Sequence, residues 1–139
     1  MEEILDYENR ERMYKFLIDD FGLEKIEEKY DAECFGNFYI ILSAPDFLLS
    51  YVNDRSFLDV DIASKLEPEN GFALSFVRDL IYKPNKINSD DGEIDNKKRI
   101  EELNDFLKKD YTKISELFNP NNYYSTKRQI DELLERSNQ

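Results

Sequence analysis

Over residues 8–21 the apolar side chains Met13, Tyr14, Phe16, Leu17, Ile18 and Phe21 return at three- and four-residue spacing, which predicts a helix with one buried stripe. Gly22 supplies a left-handed stop, with Leu23 expected to fold back onto Ile18. Over 24–34 the period changes to two. Ile26, Tyr30, Ala32 and Cys34 share one parity, Lys25, Glu27, Lys29, Asp31 and Glu33 the other, and Glu28 alone breaks the alternation. That pattern predicts a strand with one wet face.

Phe35-Gly36-Asn37 has turn chemistry, and the strand expected over 37–44 is apolar on both parities through Phe38-Tyr39-Ile40-Ile41-Leu42, as in a central strand covered on both sides. One of Phe38 and Tyr39 must then point away from the main core. Pro45-Asp46 ends the run. A third strand is expected over 47–53, a polar turn at Asn53-Asp54-Arg55-Ser56, and a fourth strand over 57–63 with Leu58, Val60 and Ile62 inward and Asp59 and Asp61 outward. Connections this short require antiparallel neighbours, because a parallel crossover takes a dozen or more residues.

The helical period returns over 71–82 in Phe72, Phe76, Val77, Leu80 and Ile81, and Pro84 ends it. A polar, turn-rich loop over 83–93 leads to a long amphipathic helix over 95–118, carrying Ile100, Leu103, Phe106, Leu107, Tyr111, Ile114, Leu117 and Phe118. Asn119-Pro120 stops that helix. Thr126-x-x-Gln129 reads as a capping box opening a last helix over 126–137, with Tyr123 or Tyr124 stapling its start. The expected architecture is a single α+β domain spanning 1–139: an N-terminal helix, a four-stranded antiparallel meander and three C-terminal helices packed on one sheet face.

Composition narrows the chemistry more than the shape. Ten Phe and nine Tyr in 139 residues give enough bulk to close a core without cross-links. With no His and one Cys, the chain has no Ser-His-Asp or Cys-His nucleophile, no histidine metal site, no zinc ribbon and no disulfide framework. No catalytic residue, metal ligand or cofactor is assigned, and the chain is read as a non-enzyme. No run approaches the roughly 20 apolar residues of a bilayer-crossing helix. Met1-Glu2-Glu3-Ile4 is acidic where a secretory signal starts positive. The expected location is cytoplasmic, in keeping with the lone Cys34.

The net charge of −12 is lopsided: residues 1–70 hold 18 acids and 7 bases, residues 71–139 hold 13 acids and 12 bases. Such a field repels nucleic acid and anionic membrane and favours a basic protein partner, although acidity also serves solubility by itself. The expected partner-binding residues are Asp54, Asp59, Asp61, Glu27, Asp31 and Glu33, with Asp19 and Asp20 on the first helix as second choices.

Asp59-x-Asp61 on one strand puts two carboxylates on the same face about 7 Å apart. Three readings stay open: a solvated strand face, a contact surface for a basic partner, or, with Asp54 as a third ligand, a cation or acid-base site. No EF-hand spacing accompanies them. Arg55 pairs with a neighbouring carboxylate or grips a ligand anion. Asp90-Asp91-Gly92-Glu93-x-Asp95 reads as an acidic helix start rather than a cation loop, and Cys34 as a small buried hydrophobe.

The segment Phe35-Gly36-Asn37-Phe38-Tyr39-Ile40-Ile41-Leu42, followed by Tyr51-Val52-Asn53-Asp54-Arg55 and Leu58-Asp59-Val60-Asp61-Ile62, resembles small immunity proteins of bacterial polymorphic-toxin and contact-dependent inhibition systems. The resemblance covers about the first 80 residues. It implies an acidic cytoplasmic protein that binds one cognate toxin, often a basic nuclease, and neutralises it without catalysis, by occluding the active site. Two other roles fit the same residues: a regulatory or structural adaptor that takes its partner in an apolar groove, and an acidic mimic of nucleic acid.

Overall fold

The computed structural model describes residues 9–33, 36–82 and 95–137. Cys34, Phe35, the N-terminal Met1-Glu2-Glu3-Ile4, the 83–93 loop and the Asp90-Asp91-Gly92-Glu93 run lie outside them. The chain is α+β, with α1 (Glu11–Phe21), β1 (Glu24–Asp31), β2 (Asn37–Ser43), β3 (Phe47–Asp54), β4 (Phe57–Ser64), β5 (Phe72–Ala73), α2 (Leu74–Tyr82), α3 (Asn96–Phe118) and α4 (Tyr123–Ser137). The strands form one antiparallel sheet in the order β1-β2-β3-β4-β5.

Alternation decides what enters the core. Phe38, Ile40 and Leu42 of β2, Phe47, Leu49 and Tyr51 of β3 and Leu58, Val60 and Ile62 of β4 are buried, and they form one cluster with residues of all four helices, including Leu17, Val77, Leu107 and Ile130. Complete burial of a side chain of this size contributes about 1.5–3 kcal/mol. Polar links fix the layers: the Tyr51 hydroxyl donates to Asn104 Oδ1 (2.7 Å), and Asn104 Nδ2 donates to the Met13 carbonyl (2.9 Å), joining β3, α3 and α1. Phe21 stacks on Tyr111, which also meets Phe47.

Several expectations are corrected. Among the described residues the sheet has five strands, because Phe72 and Ala73, expected at the start of a helix, pair with Ile62 and Asp61 instead. The first strand ends at Asp31, not at 34, and no residue of it is fully buried. It is an edge strand, so Ile26 (52% exposed) and Tyr30 (44%) stay in solvent, and Ile26 occupies a bulge between Lys25 and Glu27.

Glu28, the exception to the alternation, pairs with Ile40 on the helix-covered side. There Arg10 (2.6 Å) and Lys25 (2.7 Å) balance its charge. Gly22 is left-handed (φ 75°) as expected, but the N–H groups of Gly22 and Leu23 both reach the Leu17 carbonyl, and Ile18 is exposed. In α3 the helix breaks at Asp110 (φ −115°), where the carboxylate accepts from the Tyr82 hydroxyl. The last helix begins at Tyr123 rather than at 126. Thr126 is buried inside it, with its hydroxyl donating to the Leu117 carbonyl (2.7 Å), so the capping box does not form. Tyr123 is buried against Phe118 instead of stapling a cap.

Candidate functional site

The residues that alternate with the core positions form the opposite face of the sheet. Its centre is Tyr39 and Ile41 of β2 and Leu48, Ser50 and Val52 of β3, all half-buried and none belonging to the helix-covered core among the described residues. Among the described residues the second strand is therefore covered on one side and not, as expected, on both: Phe38 faces the core, and Tyr39 faces outward.

Register arranges this face in rows that cross the strands. Lys29, Tyr39, Val52 and Asp59 make one row, and Glu27, Ile41, Ser50 and Asp61 make the next. Carboxylates thus stand at both sides of an apolar middle, on β1 and on β4, with Lys29 as the one ammonium in these two rows. The Tyr39 hydroxyl donates to Glu27 Oε2 at 2.5 Å, and this contact raises the tyrosine pKa.

Asp59 accepts from the Val60 N–H at 2.9 Å. Beside it, Asp61 is pushed up to about 6, first by burial and then by the Asp59 charge. Burial and the Asp59 charge both favour the protonated form of Asp61.

At one end of the face a recess of about 300 Å³ is lined by Lys29, Asp31, Tyr39, Val52 and Asp54, among others. Two asparagines hold this end together. Asn53 Nδ2 donates to the Gly36 carbonyl (3.2 Å), and Asn37 Oδ1 accepts the Arg55 N–H (2.7 Å), so the turns before β2 and after β3 are tied to each other. Arg55 and Ser56 both take positive φ (54° and 69°), the twist a two-residue hairpin needs and a conformation that costs non-glycine residues energy.

Of the six residues expected to bind a partner, Glu27, Asp59 and Asp61 lie in the two rows, and Asp31 and Asp54 line the recess. Glu33 lies beyond the strand, in an exposed turn where its N–H donates to Asp31 Oδ1 (3.1 Å). Asp19 and Asp20 are exposed on α1, in the helix layer. Glu28 and Glu67 are taken up by structural pairs. Glu67 accepts from Tyr123, Lys127 and Asn70, and these bonds hold its carboxyl down at about 2.

Arg55 contacts Asp54 only at 3.9 Å, with both side chains largely in water. Among the described residues no group of three or more His, Cys, Asp or Glu is placed to hold a metal ion, so Asp54 does not complete a cation site with Asp59 and Asp61. The sequence anticipates one aromatic of the Phe38-Tyr39 pair on the second sheet face, flanked by carboxylates, or else under the C-terminal helices. It does not single out Ile41, Leu48 and Val52, because both parities of 38–42 and of 47–52 are largely apolar and read equally well as core.

No family model, curated protein or solved structure matches this chain. No helix among the described residues is long and apolar enough to cross a membrane.

Proposed function

We propose that this chain is a non-catalytic, cytoplasmic protein-binding module that docks a basic partner on the open face of its sheet, in the manner of an immunity protein that neutralises a cognate toxin by occluding its active site. The observation that carries the proposal is the convergence of Glu27, Asp31, Asp54, Asp59 and Asp61 around the half-buried Tyr39, Ile41, Leu48 and Val52. An apolar centre with an aromatic anchor and a charged rim is how protein-binding hot spots are composed. The carboxylates occupy the positions that phosphates would take on a basic nuclease, and their field accelerates encounter.

Co-expression with a toxin domain, should the gene beside this chain's encode one, tests this reading. Cells producing both proteins grow, and a chain carrying Asp59→Asn and Asp61→Asn protects them less. Equal killing with and without the wild-type chain contradicts it.

A further inference from the structure

We propose that the segment of the partner that lies on the open face is a basic amphipathic α-helix of two to three turns, aligned with β2 and β3. This deepens the proposed recognition role and rests on it. The dimensions point to a helix. β1 and β4 are three strand spacings apart, which sets their carboxylates about 14 Å from each other across the face. A helix with its side chains is about 10–12 Å wide, so it fits between two acidic rails and leaves its flanking lysines or arginines over them.

Along the strands, the apolar positions run from the Tyr39–Val52 pair through Ile41 to the Ser43–Leu48 pair. That is four residue steps, about 14 Å, or between two and three turns of helix. A ridge of apolar side chains at i, i+3, i+4, i+7 and i+8, about 12 Å of helix rise, spans most of this length. The rails are not uniform: Lys29 sits between Glu27 and Asp31 on the β1 side, so the cations on that side belong opposite Glu27 and Asp31, and those on the other side opposite Asp59 and Asp61. An extended segment reaches only one rail from the middle of the face, and pairing along the free edge of β1 leaves the apolar rows bare.

Two peptides of identical Leu and Lys composition test this: a twelve-residue sequence with a leucine ridge flanked by lysines, and its scramble, each titrated into the isotope-labelled full chain with NMR and circular dichroism as readouts. The expected result is preferential binding of the amphipathic peptide, shifts centred on Tyr39, Ile41, Leu48 and Val52, and a gain of helical signal on binding. Asp59→Asn with Asp61→Asn should weaken it roughly five- to tenfold, as expected for the loss of two partly desolvated charge contacts.

Equal binding of the scramble to the same face overturns the helix and leaves the acidic face as the docking surface. Shifts confined to Ile26 and Tyr30 without helical gain overturn it in favour of strand addition at β1. No salt-sensitive binding of either peptide contradicts both the helix and the docking face.

Discussion

The Tyr39 hydroxyl donates a hydrogen bond to Glu27 at 2.5 Å, across the β1–β2 pair and in the plane of the open face. It places the aromatic ring in the apolar middle and sets a carboxylate at the rim, which is the smallest unit of the surface proposed here. Tyr39→Ala should cost the complex about 2 kcal/mol, the usual weight of a central aromatic anchor. Tyr39→Phe should cost under about 1 kcal/mol, since the ring is kept and the lost hydrogen bond is solvent-exposed. Calorimetric titration of both variants with the basic partner measures the difference, and equal affinities for Ala and wild type would remove Tyr39 from the interface.

Asp61 supplies a stability test that is independent of any partner. Its folded-state pKa is raised to about 6 from 3.8, so the native chain holds the proton more tightly than the unfolded chain. Its contribution is therefore most favourable below about pH 3.8 and is lost as pH rises through 6. Asp61→Asn should stabilise the chain at pH 7, by about 1 kcal/mol once solvent screening of a half-buried group is allowed for, and the gain should fade toward pH 4. Urea unfolding at the two pH values checks it.

Glu67 has the opposite sign. Lys127, Tyr123 and Asn70 hold its carboxyl at about 2 against 4.5, so its stabilisation is present above pH 4.5 and is lost as pH falls toward 2. Glu67→Gln should lower the melting temperature at pH 7 and converge with wild type near pH 2. A parallel shift at every pH would show that the loop before β5 is held to α4 by packing instead.

The hairpin after β3 carries positive φ at Arg55 and Ser56, where glycine and asparagine are favoured. Arg55→Asn with Ser56→Gly should stabilise by about 1 kcal/mol, since the backbone conformation is kept and its cost reduced. The N–H of residue 55 still reaches Asn37 in that variant. A loss of stability in thermal unfolding would mean that the two wild-type side chains contribute more than the turn strain costs.

Much of the fold was legible because local pattern and burial agree. The outward positions of Asp59 and Asp61 follow from strict alternation around Leu58, Val60 and Ile62, and the end of α1 follows from Gly22. What escaped depends on distant contacts. Phe72 and Ala73 become a strand only because the edge of β4 is there to receive them, and Thr126 loses its capping role because the Leu117 carbonyl is within reach. Glu28 breaks the alternation of β1 because Arg10, eighteen positions earlier, makes a charged residue tolerable on the covered side. The apolar middle of the open face was hidden for a related reason: in Phe38-Tyr39-Ile40-Ile41-Leu42 both parities are apolar, and only the strand register shows which one faces the helices.

Carboxyl-directed chemical footprinting of the chain, free and bound to its basic partner, measures the location of the interface directly. The proposed docking predicts that Glu27, Asp31, Asp54, Asp59 and Asp61 lose reactivity in the complex while Asp19 and Asp20 on α1 keep theirs. Protection of the α1 acids, with the open-face carboxylates still reactive, would contradict it.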